Sequence, residues 1–335
     1  MPPTNETFVV GVDLGGTKIS AGAVSADGTR QFAMRSELTR AEEGADAVVA
    51  RIATMVRAVI AQTIAETGAT RGDFLGVGIG SPGPLDRAKG IVITTPNLGW
   101  HDFPLRDRIS AEVALPASLD NDANCATVGE WWVGAAKGGR NVVGLTIGTG
   151  IGGGLILDGR LYHGSSDVAG EIGHTTIDST GRRCKCGNYG CLEAYASGPA
   201  IAVRAREALE GGEPSLLSTM AGGDPAQLTA QHVYEASKAG DPVAREVVRE
   251  TARFIGTGVA NLLNIFNPDV VVLAGGVAQA GDDLFDPLRA EVHRRAFRPA
   301  VEVCRIVPGA LGSAAGVVGA VATFLAQQEP GASLA

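Results

Sequence analysis

Apolar residues along this chain switch between two periods, and the switches outline alternating strands and helices. Phe8 to Leu14 is a short apolar run ending at a Gly-Gly turn, and Lys18 to Ser25 returns as a second strand closed by Asp27-Gly28, the pattern of a hairpin. From Ala45 to Ile64, residues Val48, Val49, Ile52, Met55, Val56, Val59, Ile60 and Ile64 recur at helical spacing, and Gly68 follows as a stop, so a long amphipathic helix is predicted. Phe74 to Gly80 is strand-like and runs into the turn SPGP; Ile91 to Ile93, Leu105 to Ala114 and Ala117 to Leu119 then read as strand, helix and strand. A helix from near Ala123 to Ala136 leads to the strand Val142 to Ile147 and the glycine turn GTGIGGG. Beyond it come the helix Pro242 to Phe266, the strand Asp269 to Leu273 ending in AGGV, and a final helix Gly312 to Leu325, with the tail QQEPGASLA expected to fray.

One pattern occurs twice. VVGVDLGGTKISAGAV from Val9 aligns without gaps on VVGLTIGTGIGGGLIL from Val142, matching strand, glycine turn and returning strand at a constant offset of 133. Two related halves, each carrying a glycine turn, predict a ligand cleft between them. The AGGV turn adds a third glycine pair at the carboxyl end of a strand, the edge where ligands sit in α/β sheets.

Composition narrows the class. With 335 residues and 45% hydrophobic content, the chain has room for two domains with substantial cores. A net charge of −8 and a pI near 5.2, with no dense Lys/Arg run, argue against a nucleic-acid footprint. No stretch is expected to supply the roughly 20 uninterrupted apolar residues of a membrane span, and the start MPPTNETFVV lacks a secretory pattern, so a soluble, cytoplasmic protein is expected. Its 47 glycines point to many turns that bring backbone close to something, with phosphate as the first candidate.

The densest chemistry lies within 171–198, where EIGHTTIDSTGRRCKCGNYGCLEAYASG gathers three of the five cysteines. His174, Cys184, Cys186 and Cys191 supply one imidazole and three thiols, the closed ligand set of a structural zinc site. Disulfides or ordinary buried thiols are the alternative; the odd cysteine count and the absence of a secretory segment favour reduced thiols and a metal. Fixing that metal also fixes two carboxylates, Glu171 and Glu193, which suit a hydroxyl-rich ligand. The turns Gly15-Gly16-Thr17 and Gly148-Thr149-Gly150 offer backbone N–H groups and threonine hydroxyls to phosphate. Neither is a P-loop or a dinucleotide fingerprint, because GxxxxGK[ST] is absent and no helix opens directly after either turn. Asp13, beside the first turn, suits Mg²⁺ or an Asx cap. In the run Leu119-Asp120-Asn121-Asp122-Ala123-Asn124, one carboxylate is a candidate general base, although Asp and Asn are also preferred helix N-caps.

The pieces DLGGTK from Asp13, NDAN from Asn121, GTGIGGG from Gly148, EIGH from Glu171 and CKCGNYGCLE from Cys184 together resemble the ROK family of sugar kinases and repressors over nearly the whole chain. Within that family the sequence is most similar to the bacterial ATP-dependent glucokinases. The resemblance implies a duplicated actin-like, hexokinase-type (ribonuclease H-like) α/β fold with two domains around a cleft: 1–121 plus 312–330, and 122–311 with a zinc loop at 171–198. It implies ATP and Mg²⁺ held by Asp13, Gly15, Gly16, Thr17, Lys18, Gly148, Thr149 and Gly150, an adenosine-side contact at Gly275 and Gly276, and zinc on the four ligands above. It implies a sugar site of Asn121, Asp122, Glu171, His174 and Glu193, with Asn97 as a further contact and Asp122 as the base. A homo-oligomer, dimeric or tetrameric, is expected, with glucose phosphorylated at C6. Other hexoses, N-acetylhexosamines or a non-catalytic sugar sensor are the alternatives. The family's repressors carry a helix-turn-helix domain before the kinase-like body, and here the first strand already opens at Phe8. The polyphosphate-dependent branch typically lacks the cysteine cluster, which favours ATP.

Overall fold

The computed structural model describes residues 6 to 328; the tail expected to fray lies largely outside them. The strands are β1 (Phe8–Leu14), β2 (Lys18–Ser25), β3 (Gln31–Leu38), β4 (Phe74–Ser81), β5 (Leu85–Asp86), β6 (Ile91–Thr95), β7 (Trp100–Phe103), β8 (Ala117–Asn121), β9 (Val142–Ile147), β10 (Ile151–Leu157), β11 (Arg160–Leu161), β12 (Val270–Ala274) and β13 (Arg305–Pro308). The helices are α1 (Ala45–Thr67), α2 (Leu105–Val113), α3 (Asp122–Trp132), α4 (Glu193–Ala196), α5 (Gly198–Glu210), α6 (Leu216–Met220), α7 (Ala230–Lys238), α8 (Pro242–Phe266), α9 (Asp282–Arg295), α10 (Arg298–Val303) and α11 (Ala315–Gln328).

The repeat is visible in the sheets. The first runs β3-β2-β1-β4-β8 and the second β11-β10-β9-β12-β13, so each strand of one has a counterpart at the same place in the other. In the first, β1 pairs antiparallel with β2 and parallel with β4. A smaller sheet, β5-β6-β7, stands apart. Two compact units emerge from the contacts: Met1–Gly144 with Gly154–Gly170 and Ala310–Ala335, and Leu145–Gly153 with Glu171–Gly309. The first therefore takes in 122–144 and 154–170, which the expected boundary at 121 placed in the other domain.

In the first unit every residue of β1 except Asp13 is buried, because helices cover both faces of the sheet. Phe8, Val10, Val12 and Leu14 join Val48, Ile52, Val56 and Val59 of α1 in one core. Opposite, α11 packs on β1, β4 and β8 and alongside α3. The close approach there requires glycine. A Cβ on Gly11 would run into the carbonyl of Val317, and one on Gly78 into that of Ala320. By length and composition α1 is long and apolar enough to cross a membrane, which corrects the expectation that no stretch comes near that threshold. Here its apolar stripe is spent on the core, while Arg57 is exposed on its outer face.

In the second unit α8 packs against α5, α7 and α9. Its limits follow from local chemistry. The Asp241 side chain accepts from the Ala244 N–H, a proline occupies the first turn, and Asn267 ends the helix at φ 45°.

Candidate active site

Asp122 opens α3 just beyond β8, and the local hydrogen bonds show why the chain turns there. Asn121 Oδ1 accepts from the N–H groups of Ala123 (2.9 Å) and Asn124 (3.1 Å), so Asn121 is the N-cap. Asp122 Oδ1 accepts from Ala123 N–H at 2.8 Å. The cap and the candidate base thus share one junction, with the cap on Asn121 and the carboxylate of Asp122 in the helix's first turn.

Asp120, the other carboxylate of the run that offered a candidate base, supports this junction instead. Its side chain is 1% exposed, its Oδ1 accepts from Asn121 N–H (2.8 Å) and Asn124 Nδ2 (3.2 Å), and its Oδ2 lies 2.9 Å from Arg87 Nε and 3.0 Å from His163 Nε2. Burial pushes its carboxyl up, but the His163 hydrogen bond and charge and the Arg87 guanidinium outweigh that and hold it below the usual carboxylate value. Asp167 adds a second anchor, accepting from Arg87 N–H at 3.2 Å. The strand end that presents Asn121 and Asp122 is thereby fastened by an ion pair with little access to water.

Asp13, at the end of β1, has its carboxyl pushed up to about 7, first by burial and then by the nearby Asp122 carboxylate, with Lys18 opposing. The two acids sense one another, so this pocket gathers negative charge that a cation would relieve. Gly316, in the first turn of α11, lets the helix reach the acid: a Cβ there would stand 2.5 Å from Asp13 Oδ2. The adjoining turn is closed by Gly15 N–H to Lys18 C=O (2.9 Å) and tied down by Thr39, whose hydroxyl donates to Gly15 C=O at 2.7 Å. Thr17 and Lys18 are exposed at its rim. Asn97, also exposed, packs on the turn, where a Cβ on Gly16 would stand 3.0 Å from its own Cβ.

The second unit repeats the turn with different fastenings. Gly148 N–H donates to Gly150 C=O (2.9 Å), and Gly198 N–H donates to Gly148 C=O (2.8 Å). Glu193 Oε2 accepts from Ile151 N–H at 2.9 Å, and a Cβ on Gly150 would come within 2.6 Å of that oxygen, so a side chain there would push the carboxylate aside. Glu193 is thus bound to the turn on one side and to the cysteine loop on the other, 3.9 Å from Cys184 Sγ. Glu171 is exposed, and its C=O accepts from His174 N–H at 3.1 Å.

The ligand atoms of His174, Cys184, Cys186 and Cys191 all lie within 4.8 Å of one another. Cys186 and Cys191 sulfurs are 3.7 Å apart, and Cys184 Sγ is 3.8 Å from His174 Nδ1. A tetrahedral ion with Zn–S bonds of about 2.3 Å would space its sulfurs by about 3.8 Å, so the donor set and spacing fit that metal. Burial, and then the neighbouring thiols, push the Cys191 thiol up to about 12; bringing these sulfurs together as thiolates calls for a cation. Because Nδ1 faces the thiols, Nε2 is the nitrogen turned to other partners.

A cavity of about 980 Å³ lies wholly within this unit and brings together Gly148, Thr149 and Gly276. Gly275 is behind them: at φ 92° it passes so close to Ile147 C=O that no Cβ would fit. Further walls come from α5 and α7, including Ala202, Arg206 and Tyr234, from the turn after Gly276, and from Lys185 of the cysteine loop. These were missed in the sequence; only the Ser197-Gly198-Pro199 start of α5 hinted that a helix begins beside the glycine turn.

Residues 9–328 match the ROK family. The chain is 38% identical to a glucokinase of Thermotoga maritima over 313 residues, covering 93% of this chain and 95% of that one. It is 36% identical to a glucokinase of Halalkalibacterium halodurans, covering 94% of each. A solved ROK family glucokinase from Streptomyces griseus, in complex with glucose and AMPPNP, superposes with a TM-score of 0.81 at 34% identity, covering 94% of this chain and 98% of that one. With the duplicated sheets, the acid-bearing turn and the Cys₃His cluster in place, this protein belongs to the ROK family, with the actin-like, hexokinase-type fold of its sugar kinases.

Proposed function

We propose that the protein is a glucokinase, transferring the γ-phosphoryl group of ATP to the C6 hydroxyl of glucose with Asp122 as general base. The observation that carries this reading is the placement of Asp122 in the first turn of α3, next to Asp13 and fastened through Asp120. The full-length likeness to glucokinases supports the substrate pair.

Phosphoryl transfer asks for positioning and charge neutralisation more than covalent work. The N–H groups of the turns at Gly15–Lys18 and Gly148–Gly150 hold phosphate oxygens, and the cavity bounded by Gly276 takes the nucleoside. Asp13 suits the Mg²⁺ that accompanies the nucleotide, since neutralisation by a divalent ion reverses the effect of Asp122 on it. Asn97, Asn121, Glu171, His174 and Glu193 orient the sugar hydroxyls, and Asp122 accepts the C6 proton as the O–P bond forms. Zinc on His174 Nδ1 and the three thiols would stiffen the loop that carries Glu193 and leave His174 Nε2 to a sugar hydroxyl. Free thiols in this arrangement suit a reducing, cytoplasmic setting. Light scattering on the purified protein reads the expected dimer or tetramer.

The test is coupled ADP release with Mg·ATP against glucose, mannose, fructose, N-acetylglucosamine and N-acetylmannosamine. The highest kcat/KM is expected on glucose. Preference for another sugar would overturn the substrate assignment, and sugar binding without turnover on any of them would overturn the enzyme.

A further inference from the structure

We infer that Lys185 is a nucleotide-binding residue of this kinase, a cation carried between two cysteines of the metal-type cluster and directed at the donor's phosphates. The inference rests on the reading of the 980 Å³ cavity as the nucleotide site. Three cations line that cavity, Lys185, Arg206 and Lys238, against the single carboxylate of Glu235. Their positions along the walls separate their roles.

The phosphate end is marked by the glycine turn, with Gly198 of α5 held against it at 2.8 Å. Arg206 stands eight residues further along α5, about 12 Å down the helix axis at 1.5 Å per residue, and its guanidinium is tied to Ala226 C=O at 3.4 Å. Lys238 is equally far from the start of α7, in its last turn. Both belong to the far part of the walls. The loop that carries Lys185 is connected to the turn: the adjacent Cys184 Sγ lies 3.9 Å from Glu193, and Glu193 in turn holds Ile151 N–H, next to Gly150, at 2.9 Å. The backbone on either side is fixed by Cys184 N–H to Asn188 C=O (2.8 Å) and Gly187 N–H to Cys184 C=O (3.1 Å). Among the described residues no carboxylate pairs with the Lys185 ammonium, whereas Lys89, for comparison, is held by Asp86 at 2.8 Å. An exposed lysine that lines a cavity rich in positive charge, in a loop tied through Glu193 to the glycine turn, fits a polyphosphate, where an ammonium acts as a compact point charge.

The loop consequently serves both substrates, presenting Glu193 and His174 to the sugar and Lys185 to the nucleotide. The experiment measures AMPPNP affinity by calorimetry, in the presence of Mg²⁺, together with KM for ATP and for glucose, in Lys185→Ala, Lys185→Arg, Arg183→Ala and Ala230→Trp. Charge-assisted contacts are the strong ones, so Lys185→Ala should weaken AMPPNP and raise KM for ATP by about tenfold, with KM for glucose within about twofold and most of the loss restored by arginine. Arg183→Ala, a neighbouring exposed cation that does not line the cavity, should change neither. Ala230→Trp, which puts bulk into the cavity wall, should weaken the nucleotide whatever Lys185 does. If Ala230→Trp weakens AMPPNP while Lys185→Ala does not, the lysine assignment is wrong; if both bind AMPPNP normally, the cavity itself is misassigned. Equal losses in Lys185→Ala and Arg183→Ala would reduce the effect to general loop charge and also overturn it.

Discussion

The two strand-turn-strand units, β1–β2 and β9–β10, start from one pattern and end in different chemistry. Gly11 and Gly144 stand at the same place in the two copies, and each lets another group press close: the Val317 carbonyl in the first, the Thr127 side chain in the second. Both turns close with a short backbone hydrogen bond at 2.9 Å. At the position beside the turn, however, the first copy has Asp13 and the second Thr146, both partly exposed. The first turn adjoins a pair of interacting acids, and the second is fastened by Glu193 to a thiol cluster. Duplication supplies the scaffold, and single carboxylates decide what each copy does with it.

The sharpest way to break this contrast is Asp122→Asn. General-base catalysis contributes about 10²- to 10⁴-fold, so steady-state kinetics should show kcat reduced by that order with much less change in glucose affinity. Near-normal kcat would take Asp122 out of the role. On the second copy, Cys184→Ser should lower the metal content read by mass spectrometry and raise KM for glucose by about tenfold, the order seen when a metal site's supporting groups are lost. Normal glucose affinity in a metal-free variant would separate the cluster from the sugar site.

A pH series tests the acid pair. The folded-state carboxyl of Asp13 titrates at about 7, above its ordinary value of 3.8, so the folded protein holds a proton that the unfolded chain releases between those values. Stability from that proton is present at low pH and lost as pH rises through the window. Without nucleotide or Mg²⁺, Asp13→Asn should therefore gain in Tm relative to the parent by a few degrees on going from pH 5 to pH 8. Thr146→Ala, at the matching place, should show no such trend. A constant difference for both would mean that Asp13 is not strained by burial.

The smallest effect expected is structural. Gly11→Ala meets a backbone carbonyl in α11, and Gly144→Ala meets the branched Thr127 side chain, so both should destabilise by about 1–3 kcal/mol from overpacking. Chemical denaturation should show the larger loss for Gly11, whose obstacle cannot rotate away.

What was legible in the sequence was whatever a local period or a tight cluster carries. The span Pro242 to Phe266 was read as one helix and is α8, and the offset of 133 carried the strand, glycine turn and returning strand that occur in both large sheets. The cysteine loop stood out because its thiols are near in sequence as well as in space. Arg87 and His163 were not legible: they reach Asp120 from distant parts of the chain, and neither carries a local signal. Lys185 was hidden differently, as a spacer between two conspicuous cysteines, and its place at the cavity depends on how the loop folds back on Glu193. The apolar character of α1 was understated: its periodic positions were read as one stripe of a long amphipathic helix, which left the apolar content of the whole element out of the reading.

The most direct measurement is ADP release from Mg·ATP with glucose by the parent protein and by Asp122→Asn, side by side. Turnover by the parent is expected, with glucose preferred over the other sugars, and a fall of at least about 10²-fold in kcat in the variant. Equal turnover by the two proteins, or none by the parent, would contradict it.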